Sequence, residues 1–151
     1  MVDYAVSQQI NRSPEAVFPF LEEPMRWDWM REMRSERAAG ATSGIGARYR
    51  VSMEEEGKPT SMELEVTELE PGHRVAFRTV ASTGMRWDGS FSVEPHEGGT
   101  LVRSEGRIRL NGLRRLLEPF AGGEIRRGEA AELGRLKVML EAVGSESVSE
   151  S

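Results

Sequence analysis

The stretch GMRWDGSFSVEPHEGGTLVRSEGRIRL, residues 84–110, contains two runs in which apolar and polar side chains alternate. One face of the first run holds Met85, Trp87, Gly89, Phe91 and Val93, and the same face of the second holds Val102, Ser104, Gly106, Ile108 and Leu110. Between the runs, Pro-His-Glu-Gly-Gly at 95–99 is typical of a turn. A period of two predicts β-strands, so the stretch predicts an antiparallel hairpin with one apolar and one charged face.

Three more alternating runs precede this hairpin. Their apolar faces are Ala47, Tyr49, Val51 and Met53; then Met62, Leu64 and Val66; then Val75, Phe77 and Thr79. The segments EEGKP, EPGH and STG separate the runs with turn-forming residues. Five successive strands with short turns predict an antiparallel meander. Val2, Tyr4 and Val6 alternate in the same way, which predicts another strand at the N-terminus.

Prolines divide the chain between the first strand and the meander into short segments. The Ser-Pro pair at 13–14 suits the start of a helix, whereas Pro19 prevents a long regular one. Pro24 opens a second short helical segment. Residues 30–40 are ambiguous, and a weak edge strand is one interpretation of them.

The C-terminal third changes to a helical period. At about 100° per residue, one face holds Ile125, Leu133, Leu136, Leu140 and Val143, whereas the opposite face holds Leu113, Leu116 and Phe120. This change of face predicts a break or kink, for which Pro119 and Gly122-Gly123 are the obvious place. Glu129, and less centrally Glu132, lie on the apolar side. There, a carboxyl group is costly unless it is partnered or protonated.

These elements predict an α+β fold, in which a curved antiparallel β-sheet wraps around one long C-terminal helix, with two short helices after the first strand. We expect one domain, residues 1–143, and a disordered C-terminal tail, residues 144–151, which is rich in serine and glutamate. One helix cannot cover a broad twisted sheet completely. We therefore expect a cavity between them, open toward the short helices and the loops.

Composition excludes several kinds of chemistry. The 151 residues contain no cysteine, and His73 and His96, the only histidines, both fall in turns. We therefore expect no metal site and no cofactor. A net charge of −5 argues against nucleic acid as the partner. No secretion signal or membrane span is recognisable, so we expect a cytoplasmic protein with no integral membrane association. The oligomeric state is not predictable from the sequence.

The tetrapeptide Met-Arg-Trp-Asp occurs at 25–28 and again at 85–88, in flanks that do not match. We interpret the repetition as coincidence, because one copy lies in a helical stretch and the other in a strand. Trp27 and Trp29 on the short helical segments can nevertheless meet Trp87 on the inner face of the sheet. The three rings are then either ordinary core or the aromatic wall of a pocket for a small apolar ligand.

The sequence resembles the START-like, polyketide cyclase/dehydrase and lipid-transport superfamily over roughly residues 2–143. The resemblance is carried by INRSPEAVFPFLEEPMRWDWM, VTELEPGHRVAFRTV, MRWDGSFSVEPHEGGTLVRSEGRI and ELGRLKVMLEAV. It implies the helix-grip fold. Members of the superfamily include polyketide cyclases, lipid and sterol carriers, and chaperone activators. Since they share no catalytic triad, the resemblance assigns no catalytic residue here, and only the pocket-facing positions carry over.

The function indicated first is binding of a small hydrophobic molecule, such as an aromatic polyketide, a lipid or an isoprenoid-like compound. The alternatives are a cyclase/dehydratase-type enzyme on the same scaffold, and a protein-interaction module with a collapsed cavity, chaperone-associated or antitoxin-like. The expected ligand-binding residues are Trp27, Trp29, Tyr49, Val51, Met53, Leu64, Phe77, Thr79, Met85, Trp87, Phe91, Ser104, Glu129, Leu133 and Leu136.

Overall fold

Seven antiparallel strands form one curved sheet in the order β1-β7-β6-β5-β4-β3-β2. A computed structural model describes residues 1–30, 33–38, 40–41, 43–55, 57–110 and 112–150, with the backbone alone at Glu55 and at 144–150. The strands are β1 (Val2–Ile10), β2 (Arg34–Arg37), β3 (Arg48–Glu55), β4 (Lys58–Glu70), β5 (Arg74–Ser82), β6 (Arg86–His96) and β7 (Gly99–Arg109). The last strand pairs with both β6 and the N-terminal β1.

The inner face of the sheet is the face that the alternation predicts. Tyr49, Val51, Leu64, Phe77, Phe91 and Val102 are all buried, as are most other members of the same rows. Their neighbours along each strand, mostly arginine and glutamate, face the solvent or form ion pairs across the outer face. Burial of every second residue therefore sets the register of each pairing, because a slip by one residue exposes the whole apolar row.

Two short helices and one 3-10 turn connect β1 to β2. Helix α1 (Pro14–Val17) begins after Ser13, helix α2 (Pro19–Glu22) begins at the next proline, and the 3-10 turn spans Pro24–Arg26. Each proline opens its segment at a position where the missing N–H is not needed. The α+β architecture predicted from the sequence is confirmed: one curved sheet, one long helix and two short helices after the first strand.

Of the two places predicted for a break, the chain changes helix type just before Pro119, whereas Gly122-Gly123 lies within continuous helix and the prediction there is wrong. A 3-10 helix spans Gly112–Leu117, and α3 then runs without interruption from Glu118 to Glu150. Pro119 is the second residue of α3, where no intrahelical hydrogen bond requires its N–H. No reset of the helix face is needed, because Leu113, Leu116 and Phe120 are exposed rather than packed on another surface.

Hydrogen bonds attach α3 to residues next to the ends of β1 and β7. At the start, Glu118 accepts hydrogen bonds from the Met1 amino group at 2.6 Å and from the Leu110 backbone N–H at 2.9 Å. Further along, the Arg12 guanidinium donates to the Leu140 carbonyl oxygen at 2.7 Å. A disordered tail at 144–151 stays a prediction. The backbone of α3 continues through Glu150, and Ser151 lies outside the described residues.

Candidate ligand-binding cavity

Five aromatic side chains from the loop after α2, from β5 and from β6 meet on the inner face of the sheet. The Trp27 ring makes edge-to-face contacts with Phe77, Trp87 and Phe91, at centroid distances of 5.1, 6.1 and 5.9 Å. Trp29 contacts Phe91 in the same way at 6.1 Å. Their indole N–H groups are also bonded: Trp27 donates to the Leu21 carbonyl and Trp29 to the Phe20 carbonyl. The two tryptophans of the repeated tetrapeptide, Trp27 and Trp87, thus belong to one aromatic cluster.

Trp87 lies flat across a pair of glycines. Gly89 and Gly106 are opposite each other on β6 and β7. A β-carbon on Gly89 would collide with the indole ring, and one on Gly106 would lie 2.8 Å from the Tyr4 hydroxyl and 3.0 Å from the indole nitrogen. The indole N–H donates to the Tyr4 hydroxyl at 2.6 Å. The absence of side chains at the two glycines is therefore what lets the ring lie on the sheet.

Thr79 replaces part of the backbone pairing between β5 and β6. Its hydroxyl donates to the Trp87 carbonyl at 2.5 Å and accepts from the Trp87 N–H at 2.9 Å. The Thr79 N–H in turn donates to a carboxylate oxygen of Asp88 at 2.9 Å. These bonds hold the backbone of Trp87 in place beyond the last paired residues of the two strands, Phe77 and Gly89.

A cavity of about 150 Å³ lies between the sheet and α3, beside Trp87. Its lining consists of Trp27, Met30, Met33, Met53, Glu54, Met62, Met85, Trp87, Phe91, Ile108, Glu129 and Glu132. The volume is several times that of one water molecule and is close to that of a cavity that accepts a single aromatic ring. Five of the lining residues are methionines, whose unbranched side chains adapt to ligands of different shapes.

Two carboxyl groups face this apolar space from adjacent turns of α3. Burial raises the pKa of Glu129 to about 8, and the negative charge of Glu132 contributes to the rise. Burial also raises the pKa of Glu132 to about 7, against the lowering effect of Arg135, whose guanidinium lies 3.7 Å from it. Near neutral pH, Glu129 is therefore mainly protonated and able to donate a hydrogen bond.

Further polar groups lie behind the cavity wall. The Ser104 side chain is fully buried, and its hydroxyl interacts with the Tyr4 hydroxyl, an interaction that favours the ionised form of Tyr4. Burial raises the pKa of Tyr4 far above its ordinary value, and the charge of Glu129 adds to this effect. Tyr4 is therefore a neutral phenol at any pH at which the protein functions.

The sequence-predicted residues divide into two groups. Those that line the cavity are Trp27, Met53, Met85, Trp87, Phe91 and Glu129. Those that are buried in the core without lining it are Trp29, Tyr49, Val51, Leu64, Phe77, Thr79, Ser104, Leu133 and Leu136. Apart from Trp29, which lies in the loop after the 3-10 turn, members of the second group share the inner face or the helix stripe, but neighbouring side chains cover them. A role in ligand binding stays a prediction for every residue in both groups.

Sequence reasoning missed six lining residues. These are Met30, Met33, Glu54, Met62, Ile108 and Glu132. Met62 and Ile108 belong to the inward-facing rows, and Glu132 is one turn from Glu129, so the periodicity contained a signal for all three. Met30 and Met33 lie in the irregular segment beyond Trp29, where no period indicates which side chains face inward.

The model of the family described as "polyketide cyclase / dehydrase and lipid transport" matches residues 1–141. The chain belongs to this family. No curated protein matches the sequence. Membership fits a protein that binds hydrophobic ligands or resembles a polyketide cyclase, as the resemblance implied.

Solved structures with this fold cover nearly the whole chain. TTHA0849 from Thermus thermophilus is 19% identical, with a TM-score of 0.76 over 93% of this chain and 98% of that one. A START superfamily protein from Mycobacterium smegmatis is 16% identical, with a TM-score of 0.68 over 91% and 98%. DynU16, from the dynemicin biosynthetic locus, is 18% identical, with a TM-score of 0.67 over 93% of this chain and 48% of its own. At these identities, the likeness establishes the fold alone.

Other parts of this polyketide cyclase/dehydrase family member offer less to a ligand. Two depressions of about 380 Å³ lie on the outer face of the sheet, but they are open and lined largely by polar and charged side chains. His73 and His96 are exposed. No group of three or more His, Asp or Glu side chains among the described residues is placed to hold a metal ion. Within the same residues, no helix is long and apolar enough to cross a bilayer.

Proposed function

We propose that this protein binds a small hydrophobic molecule carrying an oxygen atom that accepts a hydrogen bond. The observation that supports this most directly is the cavity between sheet and helix, with its aromatic and methionine walls and the two carboxyl groups that α3 contributes. Apolar walls with a few convergent polar groups are typical of small-molecule sites. Aromatic polyketides, lipids and isoprenoid-like compounds all contain such oxygens on an apolar frame.

The volume of the cavity limits the size of the ligands that should be tested first. A volume of about 150 Å³ admits a ligand of roughly one aromatic ring with a short substituent. Larger ligands require the methionines at the wall to change rotamer, which their three rotatable bonds allow. Acetophenone and ethylbenzene are therefore suitable probes, since they share a ring and a two-carbon substituent and differ in the carbonyl oxygen.

Glu129 is the proposed hydrogen-bond donor. Its pKa of about 8 means that the carboxylic acid form, which can donate, predominates below that pH. Ionisation above pH 8 removes the proton and places a negative charge beside the ligand oxygen. Binding of acetophenone should therefore weaken as the pH rises through 8, whereas binding of ethylbenzene should change much less.

The quenching of tryptophan fluorescence tests this proposal, because Trp27 and Trp87 form part of the wall. We expect Glu129→Leu to weaken acetophenone binding about fivefold, since one net hydrogen bond contributes about 1 kcal/mol, and to leave ethylbenzene binding unchanged. Glu129→Gln should bind acetophenone with no pH dependence, because an amide donates at every pH. Glu124→Gln, on the exposed side of the same helix, is the matched control. Equal, pH-independent affinity for both probes in the wild type would contradict the proposal.

A second function, a cyclase or dehydratase reaction, is favoured by two adjacent carboxyl groups that both titrate near neutrality. Burial raises the pKa of Glu129 to about 8 and that of Glu132 to about 7, so in this range the pair can hold one proton and offer one acid and one base. One general acid and one general base in a single apolar cavity suit the enolisation and ring closure of a poly-β-ketone chain. Turnover of such a substrate with a bell-shaped pH profile, lost in both Glu129→Gln and Glu132→Gln, would support this enzyme over a carrier.

The third alternative, a protein-interaction module, assumed a collapsed cavity. The void beside Trp87 argues for a ligand-binding interior instead. A cytoplasmic location, the absence of a nucleic-acid partner and the absence of a cofactor remain predictions from composition.

A further inference from the structure

Four large apolar side chains are exposed together in the 3-10 helix Gly112–Leu117 and the first turn of α3. Leu113, Leu116, Leu117 and Phe120 are 85%, 75%, 58% and 83% exposed, and we call them the 113–120 patch. Leu113 and Leu116 are one turn of the 3-10 helix apart, and Leu117 and Phe120 are the next exposed apolar residues along the chain. The remaining exposed large hydrophobic residues of the described chain are separated along the sequence. A contiguous exposed apolar surface marks a place where another molecule binds.

The 113–120 patch follows β7 at the end of the sheet where β6 begins, and Met85 lines the cavity at that end. Strand β7 ends at Arg109, paired with Arg86 at the start of β6. Met85, which lines the cavity, is the residue before Arg86. Glu118, within the patch segment, bonds the Met1 amino group, and Met1 is itself 60% exposed. A molecule bound to the patch is therefore next to the β5–β6 turn and the cavity wall.

Arginines surround the patch. Residues 107–127 contain six arginines and two glutamates, a net charge of +4, whereas the rest of the chain has −9. Arg115, Arg126 and Arg127 are exposed. The guanidinium groups of Arg126 and Arg127 lie back along the helix: β-carbons at Gly122 and Gly123 would be 3.4 and 3.5 Å from them. The positive charge is thus directed toward the turn that carries Phe120.

This charge argues against a second copy of the chain as the occupant. A two-fold interface brings the same surface of both subunits together, so it would place the arginine clusters opposite each other. Like charges across an interface oppose association. A surface with negative charges over an apolar interior suits both features, because leucine and phenylalanine enter the apolar layer while arginine contacts phosphate groups.

We infer that the 113–120 patch, with Arg115, Arg126 and Arg127, binds the surface of an anionic phospholipid bilayer. Four apolar side chains and a rim of arginines give an interfacial segment of the kind that lies in the plane of the bilayer rather than across it. The binding to lipid rests on the patch alone. Its use, the transfer of a hydrophobic ligand between bilayer and cavity, rests on the proposed function.

Vesicle co-sedimentation tests the inference. The full chain should sediment with vesicles of equimolar phosphatidylcholine and phosphatidylglycerol, bind pure phosphatidylcholine at least about tenfold more weakly, and dissociate as salt is raised. Leu116→Ser with Phe120→Ser should reduce binding by about tenfold or more, as should Arg115→Gln with Arg126→Gln and Arg127→Gln. Val138→Ser, on the exposed side of the same helix, is the control for the apolar change, and Arg26→Gln with Arg50→Gln and Arg103→Gln is the control for the loss of three charges.

Two measurements separate this inference from the proposed function. The Leu116/Phe120 variant should still bind acetophenone in solution, because none of its changed residues lines the cavity. Loss of vesicle binding with retained acetophenone binding is the expected result. Absence of vesicle binding by the wild type would overturn the inference. So would vesicle binding that the patch variants retain in full, or a dimer in light scattering that depends on the patch. Each of these outcomes would leave the cavity proposal unaffected.

Discussion

Trp87 connects the core to the cavity. One side of its indole ring lies on Gly89 and Gly106, its edge bonds Tyr4, and its remaining surface contacts other aromatic rings or borders the cavity. The sequence left two interpretations of this residue open, core and pocket wall. Both describe it, because a buried ring can pack fully on one side and face a void on the other.

Substitution of Trp87 separates its two contributions. Trp87→Ala should lower the free energy of unfolding by about 3–5 kcal/mol, because a large buried ring is lost. Trp87→Phe keeps an aromatic ring and loses the hydrogen bond to Tyr4, for which we expect about 1–2 kcal/mol. Urea unfolding measures both. Equal losses in the two variants would mean that the hydrogen bond, rather than the packing of the ring, dominates.

At the scale of elements, α3 is continuous despite the glycines within it. Gly122 and Gly123 lie under the guanidinium groups of Arg126 and Arg127, whereas β-carbons on Gly128 and Gly134 would meet no atom within 4 Å. Glycine weakens a helix through backbone entropy, without altering its path when packing and end contacts hold it. This is why the sequence suggested a break at Gly122-Gly123, where the structure has none.

Alanine at the two open glycines should stabilise the protein. We expect Gly128→Ala with Gly134→Ala to raise the free energy of unfolding by about 1–2 kcal/mol, since each replacement contributes up to about 1 kcal/mol of helix propensity. Urea unfolding followed by circular dichroism measures this. Gly106→Ala provides the contrast: its β-carbon would lie 2.8 Å from the Tyr4 hydroxyl, so stability should fall. A loss of stability in the double variant would show that α3 needs flexibility at these glycines.

At the scale of the whole molecule, two sets of carboxyl groups act on stability in opposite directions. Burial raises the pKa of Glu129 to about 8 and that of Glu132 to about 7, so the folded protein holds their protons more tightly than the unfolded chain. The stability they contribute is complete below their ordinary pKa and is lost as the pH rises to about 8. Hydrogen bonds lower the pKa values of Glu65, Glu118 and Glu141, whose contribution is lost in acid instead.

The free energy of unfolding should therefore be greatest on the acid side of neutrality. Between about pH 5 and 8, we expect it to fall by roughly 3–6 kcal/mol, with contributions from both Glu129 and Glu132. The double variant Glu129→Gln with Glu132→Gln should remove most of this fall, whereas Glu124→Gln should leave it intact. Chemical unfolding at a series of pH values measures the effect. A wild-type curve that is flat across this range would contradict the burial of both carboxyl groups.

The sequence by itself determined the elements and the faces they bury. Alternation along 47–110 and the Leu133, Leu136 and Leu140 stripe depend only on which side chains avoid water at periods of about 2 and 3.6. Such a pattern is local, so it can be found without knowing which element packs against the buried face. The same pattern marked Glu129 as a carboxyl group on an apolar face, and the structure places it at the cavity.

Only the tertiary structure decided which buried residues border a void. Leu64 and Met62 lie on the same strand and are both buried, yet only Met62 lines the cavity. Only the fold reveals the glycine pair beneath Trp87 and the exposure of the 113–120 patch. A gap between surfaces depends on how segments distant in the chain meet, and no local period contains that information.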